Sequence, residues 1–247
     1  MTETLEPEPW LMPSLADLTV IVPTRNEARN IPGFLASLPS EVALIVVDKS
    51  TDETRDLVRR IRPRNTTLID CQGSLTEARQ TGASHAKSRW LLFTDADIEF
   101  ADGYFARLRN LADAPADARV FYGPKLSCDA YRYYYHCFAA GQRLLDLARI
   151  PAASGSNLLV AADVLAAVGG FDTRLTCNED SELGWRLARA GVLCRFDRKL
   201  LVWATDHRRL HRGRLLKTLH TLLRCALLYF DLVPQRWRGH DWGYWSP

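Results

Sequence analysis

The chain has 247 residues, of which 47% are apolar and 25% are charged, and its formal net charge is +3. These values are typical of one globular domain with a substantial core, and they exclude a disordered chain and give no support to nucleic acid as a partner. The six cysteines form no C-x-x-C pair, so neither a zinc site nor a disulfide framework is indicated and a cytoplasmic protein is expected.

The first half of the chain alternates apolar runs with helical patterns. Residues 1–16 are acidic and proline-rich, unlike a signal peptide, and we expect a flexible tail there. Four β-branched, apolar runs predict buried strands at 18–23, 43–48, 66–70 and 89–95. The spacing S-x-x-E at Ser50–Glu53 and at Ser74–Glu77 predicts two helix starts. Strands that alternate with helices in this way predict an α/β fold with a mostly parallel central sheet flanked by helices.

Polar residues follow three of the predicted strands at the point where each strand ends. They are the segment 24–27, Asp48, and the pair Asp95 and Asp97. Ligands of parallel sheets bind outside the carboxyl ends of the strands, so we expect these groups to converge on one edge. Taken alone, the D-x-D spacing is also compatible with a solvated turn. The glycine-rich fingerprints of dinucleotide enzymes and P-loop proteins are absent from the sequence, which disfavours both classes.

The second half is less regular. It predicts a strand at 120–124, a long helix at 131–149, a glycine-containing loop that enters a strand at 154–160, and a helix from residue 178 onward. Glu179 and Asp180 fall in the first turn of that last helix. Negative charge is favoured there by the helix dipole, so a purely structural role is one interpretation of both carboxylates.

Six motifs, taken in chain order, resemble the family 2 glycosyltransferases of the GT-A fold over positions 18–210. They are VIVPTRNE, VVDKSTDET, GSLTEARQTG, FTDAD, SGSNLLV with GGFD, and NEDSELGWRL. The resemblance implies a single GT-A catalytic domain over 17–206, with a donor half at 17–100 and an acceptor half at 101–206. It also implies an inverting transfer of a sugar from a nucleotide-diphospho-sugar, with a UDP-sugar favoured, to an acceptor hydroxyl. Lys49, Gln80 and Glu182 depart from the residues that the family often has at these positions.

The resemblance also assigns roles to individual residues. Asp180 would be the catalytic base and Glu179 would orient the acceptor. The donor would be bound by a set in which Asp48 reads the pyrimidine and Arg79 lies near the base or the phosphates: Pro23, Thr24, Asn26, Glu27, Asp48, Arg79, Asp95 and Ala96. A divalent metal, Mn²⁺ or Mg²⁺, would be held by Asp97 and His207, with His211 as the alternative histidine.

The C-terminal segment 207–247 is basic at its start and amphipathic from Arg214 onward. Its apolar residues recur at helical spacing and are expected to share one face: Leu215, Leu216, Leu219, Leu222, Leu223, Ala226, Leu227 and Phe230. This face would either pack on the catalytic domain or lie peripherally on the inner face of the cytoplasmic membrane, where it would serve a lipid-linked acceptor.

Two other functions are compatible with parts of the sequence and are alternatives to glycosyl transfer. One is a nucleotidyltransferase on a GT-A-like fold, although the loop PTRNEARN lacks the glycines that such enzymes usually carry there. The other is a non-catalytic nucleotide-sugar-binding protein at a membrane, which the presence of both D-x-D and Glu-Asp disfavours.

Overall fold

The computed structural model of the chain describes residues 14–111, 115, 117–129, 131–206 and 214–240, with the side chains of 214–217 left out. A short 3₁₀ turn at Leu15–Asp17 leads into the first strand, and Leu15 is buried. His207 and His211 lie outside the described residues, as do 1–13 and 241–247. The domain boundaries inferred from the sequence therefore stay a prediction.

The first half forms four parallel strands, as the apolar runs predict. The strands are β1 (Leu18–Thr24), β2 (Ala43–Asp48), β3 (Thr66–Asp70) and β4 (Trp90–Thr94), in the spatial order β3-β2-β1-β4. Between them lie α1 (Ile31–Ala36), α2 (Thr54–Ile61) and α3 (Leu75–His85). Thr24 is in register with Asp48, and Asp48 with Asp70, so three strands end side by side.

The second half extends this sheet and adds a smaller one. The elements are β5 (Ile98–Phe100), α4 (Tyr104–Arg109), β6 (Ala118–Tyr122), β7 (Lys125–Leu126), α5 (Arg132–Leu147), β8 (Asn157–Ala161), α6 (Ala162–Ala167), α7 (Glu179–Arg189), β9 (Leu193–Phe196) and β10 (Val202–Ala204). In the described residues the main sheet continues through β8, β6 and β9 to seven strands, with β8 antiparallel to both of its neighbours. Strands β5, β10 and β7 form a separate sheet. The predicted mostly parallel central sheet is confirmed, and the antiparallel strand β8 makes it a mixed sheet.

Both faces of the main sheet are covered by apolar packing. Successive side chains of a strand point to opposite faces, so Val20 and Val22 of β1 join one core cluster while Ile21 joins the other. Burial on both faces explains why the strands read as continuous apolar runs. The polar residues at the strand ends are therefore held by a rigid platform.

One of the two predicted capping boxes is confirmed and the other is wrong. At the start of α3 the Ser74 hydroxyl accepts from the Glu77 amide (3.2 Å) and the Glu77 carboxylate accepts from the Ser74 amide (2.6 Å). Helix α2 instead begins at Thr54, whose amide donates to Asp52 (3.0 Å). Ser50 does not cap this helix because its hydroxyl accepts instead from the Asn26 amide at 2.8 Å, while it donates to the Asp48 carboxylate at 2.6 Å.

The C-terminal segment contains α8 (Arg214–Tyr229) and α9 (Gln235–Arg238), as the amphipathic pattern predicts. The apolar face, expected either to pack on the catalytic domain or to lie on a membrane, is mostly not the face that packs, and the membrane alternative stays a prediction. Leu228 is buried in a cluster with Leu175 and Trp185, and Arg224 is fully buried because its guanidinium donates to the carbonyls of residues 238 and 240 (2.8 and 2.7 Å). Four apolar residues expected on the packed face are 52–68% exposed: Leu219, Leu222, Leu223 and Phe230. Across the described residues, no helix combines the length and the apolar character needed to cross a bilayer.

Candidate active site

A cavity of about 590 Å³ opens beside the end of β4 and is bounded by α3, α5, α7, α8 and the loop before β8. Five residues predicted from the sequence line this cavity together: Arg79, Asp95, Asp97, Glu179 and Asp180. They come from three separate elements that are up to about a hundred residues apart in the chain. The fold thus joins the D-x-D motif to the Glu-Asp motif in one space.

Arg79 is the physical link between those two motifs. It is 2% exposed, and its guanidinium donates to Asp95 at 2.8 Å and to the Glu179 carboxylate. Burial alone would lower the pKa of Arg79, but Glu179, Asp95 and Asp180 raise it further than burial lowers it. The guanidinium therefore stays charged. Close approach of Gly155 to the guanidinium leaves no room for a larger residue there.

The adjacent carboxylates Glu179 and Asp180 have different surroundings. Glu179 is 3% exposed, and burial raises its pKa to about 7, although Arg79 acts to lower it. Asp180 is half-buried and accepts from the amide of Gly155 (2.6 Å) and from that of Ser181 (2.7 Å). Glu179 is thus held by Arg79 inside the protein, whereas Asp180 lies at the cavity wall, where two backbone amides fix its orientation.

Asp97 is contacted by a cation that sequence reasoning missed. Lys125, in β7, donates to Asp97 at 3.2 Å and to the Ser156 hydroxyl at 3.4 Å. Ser156 in turn donates to Asp95 at 2.5 Å. The location of Lys125 just after a strand end is a signal that could have singled it out. Together the described lining residues carry five carboxylates, from Asp95, Asp97, Glu179, Asp180 and Asp206, but two cations, from Arg79 and Lys125.

Whether these residues fit a divalent metal follows from their chemistry. No group of three or more histidine, cysteine, aspartate or glutamate side chains within the described ranges is spaced to hold an ion, and the predicted ligand His207 lies outside them. Mg²⁺-type ions are commonly held by one or two carboxylates, with substrate phosphates and water completing the shell. Asp97 and Asp95, which both line the cavity, meet that smaller requirement.

Asp48 is the centre of a second polar cluster, beside the cavity. Its fully buried carboxylate accepts from Thr24 and from Ser50, each at 2.6 Å, and from Arg55 at 2.6 Å. Arg55 also donates to Asp70 at 2.5 Å. The meeting of Thr24 and Asp48 confirms the expected convergence for two of the three groups of polar residues, whereas Asp95 and Asp97 line the separate cavity. No sequence pattern, by contrast, singles out Arg55, which lies in the first turn of α2.

The remaining predicted donor residues brace the loops next to this cluster. Asn26 has a positive φ of 57°, and its side-chain carbonyl accepts from the Thr51 amide at 2.9 Å. The Glu27 carboxylate accepts from Asn30 at 2.7 Å. Pro23 lies within β1, and Ala96 is 3% exposed. Neither these four residues nor Thr24 and Asp48 belong to the cavity lining as described, so their roles in donor binding stay predictions.

Comparison with known sequences supports one family. The profile of Glycosyl transferase family 2 matches residues 19–166, more than half of the chain. The pre-mycofactocin glycosyltransferase of Mycobacterium tuberculosis is 26% identical over 215 residues, which cover 82% of this chain and 45% of that protein. The succinoglycan biosynthesis protein ExoA of Rhizobium meliloti is 26% identical over 207 residues, which cover 76% of this chain and 60% of that protein. The chain therefore spans about half the length of these relatives.

Solved structures show the same fold. The mannosyltransferase PcManGT from Pyrobaculum calidifontis, in complex with GDP-Man and Mn²⁺, has a TM-score of 0.62 and 21% identity over 94% of this chain and 75% of that one. TarS 1-349 of S. aureus, in complex with UDP-GlcNAc, has a TM-score of 0.63 and 19% identity over 77% of this chain and 59% of that one. The mixed sheet flanked by helices is thus the GT-A fold that the sequence predicts. The family match establishes that the chain belongs to glycosyl transferase family 2.

Proposed function

We propose that the chain transfers a sugar from a nucleotide-diphospho-sugar to an acceptor hydroxyl with inversion at the anomeric carbon. The observation that carries this proposal is the single half-buried carboxylate of the Glu-Asp pair. Asp180 faces the cavity that also contains Asp95 and Asp97, while Glu179 is held by Arg79. One available base beside the donor carboxylates suits direct displacement, in which the acceptor attacks the face opposite the leaving group.

The proposed transfer replaces one bond at the anomeric carbon with another and moves one proton to a side chain of this protein. The acceptor oxygen forms a bond to the anomeric carbon as the bond from that carbon to the diphosphate oxygen breaks. The electron pair leaves with the nucleoside diphosphate, and the hydroxyl proton passes to Asp180. The amides of Gly155 and Ser181 fix the orientation of the Asp180 carboxylate before the step.

A screen of nucleotide-sugars that reads nucleoside diphosphate release, with Mn²⁺ or Mg²⁺ present, tests this function directly. We expect release from at least one donor, faster when a hydroxyl acceptor is added. Failure to release a nucleoside diphosphate from any UDP-, GDP-, ADP- or dTDP-sugar would contradict the proposal.

We also propose that a divalent metal takes part, held by Asp97 with Asp95 and by the donor diphosphate. When bound, Mn²⁺ or Mg²⁺ would stabilise the negative charge that develops on the departing diphosphate. The excess of carboxylates over cations in the cavity supports this, since an anionic diphosphate would otherwise be repelled. The Mn²⁺ in the PcManGT complex is a further support. Lys125 would remain beside the same phosphates as a fixed positive charge.

Replacing Asp97 by Asn should raise the Mn²⁺ concentration needed for half-maximal nucleoside diphosphate release by about tenfold or more, because a neutral amide is a weaker ligand for a hard cation. The measurement is a Mn²⁺ titration of the release rate after EDTA treatment. Asp163→Asn is the matched control, since Asp163 is exposed and pairs with Arg119 on the surface. Full activity of the untreated enzyme in excess EDTA would contradict the metal proposal.

For the donor base we propose uridine, read by Asp48. Complexes of TarS with UDP-GlcNAc and UDP support uridine, and the GDP-Man complex of PcManGT is the competing precedent. In the described structure Asp48 is bound by Arg55, Thr24 and Ser50. A uracil N–H would have to share or replace one of these donors, which gives Arg55 a part in admitting the base.

We expect Asp48→Asn to weaken UDP binding by about tenfold or more, the size of one lost charge-assisted hydrogen bond. Calorimetry with UDP measures the effect. Asp70→Asn removes a carboxylate from the same Arg55 but lies at the exposed end of the cluster, so it separates a change in Arg55 from a change in base recognition. Equal UDP affinity in Asp48→Asn and in the unaltered protein would refute the role of Asp48.

A further inference from the structure

The cavity wall has a second, apolar part that the transfer chemistry does not use. It is built by α5 and α8, and we call its partly exposed side chains the α5–α8 rim: Phe138 and Leu145 of α5, Leu222 of α8, and Phe230 directly after α8. All four line the cavity and are nevertheless 40–68% exposed. Single exposed apolar residues are ordinary on a protein surface, whereas a group of them around a ligand cavity marks a binding surface. The rim is therefore a candidate surface for a bound molecule.

The charged residues of the cavity are gathered away from this rim. Arg79, Asp95, Glu179, Lys125 and Asp97 are joined through ion pairs and Ser156 into one network. Among the described lining residues, α5 and α8 contribute no charged side chain, and their contribution is mainly aromatic and aliphatic. Such a wall offers few polar partners to a carbohydrate body, whereas a hydrocarbon body would remove apolar surface from water against it.

We propose, building on the glycosyl transfer proposed above, that the acceptor is an amphiphile whose hydroxyl lies at Asp180 and whose hydrocarbon body lies along the α5–α8 rim. A single continuous cavity contains both the base and the rim, so one molecule contacts both. Its volume of about 590 Å³ lies within the range of cavities that enclose ligands of drug size. Trp185 and Tyr229, packed edge to face at 5.3 Å, also line the cavity and add flat apolar surface.

The rim also has a matched set of neighbours that do not line the cavity. Leu219 of α8 is 65% exposed, close to the 62% of Leu222, and Leu144 of α5 is 68% exposed. These residues belong to the same helices and are equally apolar. A general affinity of the helix surfaces for lipid would use all of them alike, whereas an acceptor inside the cavity would use the lining residues.

A homologous series of n-alkyl β-D-glucosides, from methyl to decyl and kept below micelle-forming concentrations, tests the proposal by calorimetry on the full chain. We expect no measurable binding of the methyl compound and an affinity that rises roughly fourfold for each methylene buried. Leu222→Gln and Leu145→Gln should weaken octyl glucoside binding by about fivefold or more. Leu219→Gln and Leu144→Gln should change it by less than about twofold, because these side chains lie outside the cavity.

Three results would overturn the proposal. One is equal affinity for the methyl and octyl compounds. Another is an equal loss in the lining and control variants, which would indicate a general membrane-contact surface. The third is a concentration-dependent change in mass that shows a second copy of the chain covering the rim. Titration of the same proteins with UDP, GDP, ADP and dTDP keeps the two proposals apart: chain-length dependence without binding of any of these nucleotides would count against the transferase chemistry alone.

Discussion

Replacing Asp180 by Asn is expected to reduce turnover by about 10²- to 10⁴-fold, the usual contribution of a general base, while UDP affinity stays nearly unchanged. Asn keeps the shape of the side chain but removes its basicity. Its amide oxygen also satisfies just one of the two backbone amides, of Gly155 and Ser181, that Asp180 accepts from. A stability loss of about 1 kcal/mol is therefore expected as well.

A neighbouring carboxylate provides the control that separates catalysis from helix stability. Glu182 lies in the same first turn of α7, and its carboxylate accepts from Arg186 at 2.9 and 2.8 Å. Glu182→Gln should cost about 0.3–1 kcal/mol through the helix dipole and the ion pair, with turnover intact. Steady-state kinetics and thermal unfolding are measured on both variants. If Asp180→Asn behaved like Glu182→Gln, with a two- to threefold kinetic effect, the role of Asp180 as base would be wrong.

Sequence patterns predicted the elements whose signal is local. The strands β1 to β4 are apolar runs because both faces of the sheet are buried, so their positions and their parallel order follow from the pattern. The convergence of Thr24 and Asp48 follows from the same argument, since adjacent parallel strands end together. Family resemblance, rather than periodicity, supplied Asp180 and Asp97. The structure then placed both residues in one cavity.

Contacts between distant segments were not predictable in this way. Lys125 reaches Asp97 because β7 pairs with β10, a pairing that no local pattern encodes. Arg224 shows the same difficulty on α8. The carbonyls of Arg238, the last residue of α9, and of His240 accept from its guanidinium, so this charged residue is buried while Leu222 and Leu223 beside it are exposed. Tertiary hydrogen bonding thus overrode the amphipathic pattern.

Arg79 combines both kinds of information. Its motif placed it near the donor, yet the structure gives it a different immediate task, which is to bind Asp95 and Glu179 at once. These carboxylates belong to the two motifs on which the proposed chemistry depends. The ion pairs therefore couple the stability of the fold to the geometry of the active site.

Replacing Arg79 by Met is expected to lower the free energy of unfolding by about 3–5 kcal/mol, because it leaves the carboxylate of Glu179 buried without its partner. The loss should depend on pH. Burial raises the pKa of Glu179 to about 7 from an ordinary 4.5, so its contribution to stability is present below about pH 4.5 and is lost as the pH rises through 7. Arg79 acts to lower this pKa, so the pKa of Glu179 is higher still without it. The stability of the variant therefore continues to fall at pH values above about 7. The variant should therefore be more strongly destabilised at about pH 8 than at about pH 5.

Two further variants make this expectation specific, with urea unfolding measured at both pH values. Adding Glu179→Gln to Arg79→Met removes the unpaired charge, and it should restore much of the stability at about pH 8 and flatten the pH dependence. Arg174→Met breaks the pair with Asp172, in which the Arg174 side chain is 56% exposed, and should cost about 1 kcal/mol or less at either pH. If Arg79→Met lost no more stability than Arg174→Met, or lost equal amounts at both pH values, Arg79 would not be the cation that lowers the pKa of Glu179.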